Sequence, residues 1–345
     1  MKSPTLLAIV AALSFAAAAP SRSLADVRPQ PLPDTMLAAA IDKGGGPEAL
    51  STHHLPVPQP KAGEVLIAVH AAGVAVWEAG MRQHAGDHTN SPMVLGGDGS
   101  GTVVALGPGV RGFRVGDQVY GTGSRGFYAE YTTAKAERIA HIPKGMGLTE
   151  AGILAISGLS ALQGIDDVLQ MKAGETLIVH GAAGGVGTLA VQFAKLRGVR
   201  VLATATTDEG LALARRLGAD AVVNGRTGDI AAAARSFAPH GIDAVLGLAG
   251  GDAFEHCIDA LRRDGPGRVA YLYGLEPIPR PRGAIRMILY NFVTGVPELE
   301  RLNKAVKAAR LQVPVAAEYP LEAAAEAHKR LEAGHLLGKI ALVTH

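Results

Sequence analysis

The residues whose types and spacing suit a chemical task are densest in Thr176-Leu-Ile-Val-His-Gly-Ala-Ala-Gly-Gly-Val-Gly-Thr188. Ala182, Ala183, Gly184, Gly185, Val186 and Gly187 are small, and they stand between an apolar run and a segment where Leu189, Phe193 and Leu196 recur at helical spacing. A turn of this kind at a helix start offers unpaired backbone N–H groups and the positive end of the helix dipole. Both favour a phosphate, and small side chains let it come close. Ala182-x-Gly184-x-x-Gly187 therefore reads as a dinucleotide signature with alanine at the usual first glycine. The alternative is a tight strand-to-helix turn that binds nothing, and the surrounding elements decide between the two.

Those elements alternate. Val199–Thr204 reads as a second strand, followed by a helix that opens on a capping-box pair, Thr206 with Glu209, and closes at Gly218. Further strands are expected over 220–224, 243–248 and 268–272, with helices over 228–238 and 252–262. The order predicts an α/β, doubly wound parallel sheet with its ligand at the switch point. An NAD site usually has an acidic residue at the end of the second strand; here Ala203, Thr204, Ala205 and Thr206 stand instead. Asp208 follows inside the next helix turn, where it complements the dipole. NADPH is expected, with NADH the lesser candidate.

The 345-residue chain is 48% hydrophobic and 19% charged, enough for a large core split between two domains. A net charge of +2, with no basic run among aromatics, speaks against nucleic acid. The single cysteine, Cys257, excludes an internal disulfide and a cysteine-rich zinc site, and it reads as a buried small hydrophobe. At the start, Lys2, an apolar run from Leu6 to Ala19 and Ser23-Leu24-Ala25 match a signal peptide over 1–25. A proline-rich linker over 26–35 follows. The mature chain is expected to be periplasmic or secreted, with no stable membrane span; it would be cytoplasmic if Met36 is the true start. Export conflicts with the cytosolic location of reduced nicotinamide cofactors.

Residues 36–155 carry short β-like runs (Val65–Ala71, Gly101–Leu106, Gln118–Tyr120) between Gly and Pro turns, which predicts a compact β domain. Here the chain resembles the zinc-independent quinone oxidoreductase (zeta-crystallin-like) branch of the medium-chain dehydrogenase/reductase superfamily. The matching segments include Gly45-Gly-Pro-Glu48, Gly107-Pro-Gly-Val110, Gly116-Asp-Gln-Val119, Ala129-Glu-Tyr131, the 182–187 turn, and Glu332-Ala-Gly-His335 through Gly338-Lys-Ile340. The resemblance implies a GroES-like β-rich catalytic domain over 36–155, a Rossmann domain over 156–296 and a return to the first domain over 297–345. It further implies metal-free reduction of a small hydrophobic carbonyl or quinone by NADPH, and a homodimer paired through sheet edges.

Residue by residue, Ser160 falls at the family's threonine near the nicotinamide, the alternative being a helix N-cap. Arg82 matches a charge-stabilising arginine, or forms an ion pair. Tyr128 is a proton donor or a buried ring with a satisfied hydroxyl. Gly250, Tyr273 and Gly274 follow later strands, where nicotinamide contacts belong. Zinc-dependent relatives carry a ligand histidine at Gly97 and a cysteine at Ile156, and none is expected here. His84, Asp87 and His88 read as solvated loop residues. The family's Asn-Pro pair is Ala75-Val76, its acidic partner is Glu78, and an aromatic hydroxyl is lost at Gly80. A phosphate-gripping lysine and tyrosine are Gly210 and Gly225, so Arg226, Arg215, Thr206 or Thr207 would have to substitute. Arg280, Arg282 and Arg286 are open to an anionic ligand or to solvent. Two rivals stand beside the reductase: another reductase or alcohol dehydrogenase on this fold, and a non-catalytic exported binding protein.

Overall fold

A computed structural model describes residues 32–88, 91–123, 126–265, 267–283 and 285–344. The signal-peptide segment and most of the linker lie outside the described residues; Thr35, the linker's last residue, already begins a strand. Residues 34–345 form one compact unit.

The first part runs β1 (Thr35–Ile41), β2 (Leu50–Pro56), β3 (Glu64–Val74), α1 (Val76–His84), β4 (Met93–Val94), β5 (Asp98–Leu106), β6 (Gln118–Thr122), β7 (Tyr131–Lys135), β8 (Ile139–His141) and α2 (Leu148–Gly152). β3 is an almost unbroken apolar run because it is buried on both faces, pairing with β5 and β7. His84 closes α1 rather than lying in a loop.

The second part follows as α3 (Ala155–Gln163), β9 (Thr176–His180), α4 (Gly185–Leu196), β10 (Arg200–Ala205), α5 (Asp208–Arg216), β11 (Ala221–Asn224), α6 (Ile230–Phe237), β12 (Ala244–Gly247), α7 (Asp252–Asp259), β13 (Arg268–Leu272), β14 (Arg286–Tyr290) and α8 (Val296–Ala309). Its sheet has the order β11-β10-β9-β12-β13-β14, every pair parallel. Order reverses beside β9, which makes the carboxyl end of β9 the switch point. β9 is buried at all five positions, as a strand covered by helices on both faces must be. The core gathers Leu177, Val179, Leu189, Phe193 and Val201, each worth about 1.5–3 kcal/mol on full burial.

Two details differ from the sequence expectation. The N-cap of α5 is Thr207, whose Oγ1 accepts from Gly210 N at 3.1 Å, because the Thr206 hydroxyl is taken by His335 at 2.9 Å. β14, parallel to β13 at the sheet edge, lies beyond the last strand expected from the sequence, 268–272.

The chain then returns to the first part through β15 (Val315–Pro320), α9 (Ala324–Glu332) and β16 (Lys339–Val343). β16 pairs antiparallel with β3, completing the β-rich sheet. Just before it, Gly338 N donates to Ala183 O at 2.8 Å, tying the return to the glycine turn.

Candidate active site

The carboxyl ends of β9, β10 and β12 and the first residues of α4 open into a cleft of about 460 Å³. Its far wall is Val74, Ala75 and Val76 together with the segment around His335–Lys339. Ala183, Gly184, Gly185, Val186 and Gly187 line it, and Gly184 caps α4 with its backbone extended. A Cβ on Gly187 would stand 2.3 Å from Gly181 O, so only glycine lets α4 pack this closely on the turn. Ala182 lies behind the wall, fully buried, its N–H donating to Thr204 O at 2.9 Å.

At the end of β10, Thr204 lines the cleft, but its hydroxyl is committed to His180 Nδ1 at 2.8 Å. Burial holds His180 well below its ordinary value, at about 4, so the ring is neutral. Thr206 and Arg226 converge on His335, at 2.9 Å and 3.4 Å, to make a polar corner. Gly250 lines the cleft as expected. Tyr273 and Gly274 do not: Leu272 reaches the cleft and Tyr273 is 74% exposed, because the chain turns outward after β13.

The three candidate catalytic residues are not brought together in the cleft. Ser160 sits mid-helix in α3, neither N-cap nor cleft-lining, and its carbonyl accepts from Tyr290 OH at 2.9 Å. Ser157, three residues earlier on α3, is the hydroxyl that lines the cleft. Arg82 is fully buried, with its guanidinium donating to Gly45 O, Glu332 and His328 Nδ1. Tyr128 is fully buried too and donates to Glu78 Oε2 at 2.9 Å. Both serve an internal network.

That network has one direction. Arg82 Nε donates to His328 Nδ1 at 3.3 Å, which leaves the ring proton of a neutral His328 on Nε2, 3.2 Å from Tyr128 Oη. Burial, with the Arg82 charge adding to it, lowers His328 to about 4 and keeps it neutral. Tyr128 passes a hydrogen bond on to Glu78, which also accepts from Ala75 N at 2.8 Å and Gly97 N at 2.7 Å. Burial pushes Glu78 up to about 7; the Lys339 charge and the backbone bonds work against it. Lys339 grips Asp98 through both oxygens, at 2.8 and 2.9 Å, at the cleft wall. Arg280 and Arg282 are spent on Glu255, and Arg282 also on Asp259.

Family models match two stretches: an alcohol dehydrogenase GroES-like domain over residues 61–144, and a zinc-binding dehydrogenase over 217–342. The chain is 30% identical over 332 residues to 2-haloacrylate reductase of Burkholderia sp, covering 89% of this chain and 99% of that protein. It is also 30% identical to Homo sapiens quinone oxidoreductase over 310 residues, 86% of this chain and 94% of the relative. The chain belongs to the quinone oxidoreductase branch of the medium-chain dehydrogenase/reductase superfamily. Two solved structures share the fold of this family closely. A mycobacterial protein complexed with NADPH has a TM-score of 0.80 at 31% identity, covering 89% of this chain and all of that one. An NAD-dependent alcohol dehydrogenase has 0.83 at 31%, covering 90% and 100%.

One matched description names zinc, and zinc-dependent members hold it with donors at the positions of Gly97 and Ile156. Gly97 and Ile156 offer none, and the Trp77 ring fills the adjoining space: a Cβ on Gly97 would meet Trp77 Cζ2 at 2.2 Å and Ile156 Cδ1 at 3.2 Å. Among the described residues, no group of three or more His, Cys, Asp or Glu could hold a metal ion. These side chains do not fit zinc. Ser157, His180, His335 and Lys339 are the cleft-lining residues that sequence reasoning missed; Trp77, next to Val76 on α1, does not line the cleft. His180 could have been found from its place at the end of β9; His335 and Lys339 reach the cleft only through the C-terminal return.

Proposed function

We propose that the protein is a metal-free, NADPH-dependent reductase acting on an α,β-unsaturated carbonyl or a quinone. The single observation that carries this reading is the cleft itself, a glycine turn at a helix start facing an apolar wall from the other part of the chain. The backbone of 183–187 would hold the pyrophosphate, and Thr206, Arg226 and His335 the 2′-phosphate. When bound, NADPH supplies the hydride. Leu248, Gly250 and Leu272, which line the cleft from the strand ends, would support the nicotinamide ring, and Val74, Ala75 and Val76 on the opposite wall would exclude water. The hydride pair would form the new C–H bond, the substrate's π pair would shift onto its oxygen, and the resulting enolate or quinolate would take a proton from water.

The similarity to an NAD-dependent alcohol dehydrogenase favours a second reading, alcohol oxidation on the same fold. Spectrophotometric assays separate the readings. We expect NADPH oxidation with 2-cyclohexen-1-one or 1,4-benzoquinone, and no NADP⁺ reduction with simple alcohols. Turnover of alcohols alone would replace the reductase reading, and no affinity for either nucleotide would leave a binding protein. Export through residues 1–25 and pairing of two copies along β14, where Leu289 is exposed, complete the proposal. N-terminal sequencing after expression in a bacterial host should begin at Asp26, and light scattering should give twice the chain mass.

A further inference from the structure

Trp77 is the sole tryptophan of the chain and the second residue of α1. Its indole Nε1 is buried and has no hydrogen-bond partner among the described residues. A buried donor left unpaired is costly, so its retention calls for a use. The polar side chains of the buried network are already committed to one another. Tyr128 bonds Glu78 and His328, Arg82 bonds three acceptors, and Lys339 holds Asp98. The Ser157 hydroxyl faces the phosphate turn, 3.4 Å from where a Cβ on Gly185 would stand. The residues just before Trp77, Ala75 and Val76, line the cleft, and its ring rests on Gly97 beside Ile156.

We propose that the Trp77 indole N–H binds the carbonyl oxygen of the substrate and stabilises the negative charge that hydride addition places there. The assignment rests on the reductase reading above. It gives the site a neutral donor where Gly97 and Ile156 provide no metal ligand. In this structure the N–H is shielded, so a carbonyl reaches it through a shift of the first turn of α1, whose Val76 is exposed at the cleft rim.

Trp77→Phe keeps a ring and removes the donor. Its turnover of 2-cyclohexen-1-one should fall roughly tenfold to a hundredfold in kcat/KM. NADPH affinity, read from cofactor fluorescence, should stay within about twofold, and the melting temperature should not fall, since an unpaired donor has been removed. Trp77→His, which restores a ring N–H, should recover part of the rate. In the wild type, adding 2-cyclohexen-1-one alone should shift the emission of this single tryptophan. Wild-type turnover by Trp77→Phe would overturn the assignment and leave the reductase reading intact. Should Trp77→Phe fail to fold through the lost indole volume, the wild type decides instead: an emission unchanged by 2-cyclohexen-1-one would overturn the assignment. If the wild type reduces neither the enone nor benzoquinone, the reductase reading fails and takes the assignment with it.

Discussion

Glu78 shows how a single residue can do structural work that resembles catalysis. It is fully buried, accepts from Ala75 N, Gly97 N and Tyr128 OH, and is pushed up to about 7 by burial. Since its ordinary value is 4.5, an unfolded chain loses this proton between about pH 4.5 and 7 while the folded protein keeps it. Stability from this group is therefore present at low pH and lost as pH rises through 7. His180 and His328 act oppositely: held near 4 against an ordinary 6.5, they cost stability as pH falls from 6.5 toward 4. In thermal melts, the wild type's advantage over Glu78→Gln should shrink steadily from pH 5 to 7.5. A constant difference would mean that Glu78 titrates as an ordinary carboxyl. Cys257 stays inert at these pH values, its thiol pushed up to about 12 by burial.

At the scale of elements, helix starts carry both folding and binding. The start of α4 is left free of side-chain caps, as a phosphate site needs, whereas α5 and α6 are capped by Thr207 and Asp229. Asp229 accepts from Ala232 N at 2.8 Å, and α6 contributes nothing to the cleft wall. Asp229→Ala should lower unfolding free energy in urea by about 1 kcal/mol and leave kcat/KM unchanged. A loss of activity at unchanged stability would reveal a contribution of α6 to the site. The α5 cap falls one residue later than sequence suggests because Thr206 is drawn to His335, 129 positions away. Local pattern locates such a helix, but a distant partner chooses its cap.

In the whole molecule, the two parts are joined by Tyr120 OH to Asn303 at 2.6 Å, by Thr122 Oγ1 to Thr294 Oγ1 at 3.1 Å and, at the cleft, by Gly338 N to Ala183 O. A ligand bound between them stabilises the entire fold, by about 2.7 kcal/mol at a hundred times its dissociation constant. The melting temperature should rise with NADPH more than with equal NADH; equal rises would show that Arg226 and His335 do not read the 2′-phosphate. The sequence by itself determined the β-α alternation, the glycine turn at 182–187 and the β-rich first part, since these follow from period and from steric need at single positions. It also named family positions for Ser160 and Arg82 and two roles for Tyr128, yet it could not say which way their side chains point. Only the tertiary structure decided that Arg82 and Tyr128 are spent on His328 and Glu78, and that Ser157, His335 and Lys339 face the cleft. It also decided that the Trp77 N–H is left over. The physical reason is that hydrogen-bond satisfaction in a buried site is settled among residues as much as 250 positions apart, as with Arg82 and Glu332, and no local spacing carries that information.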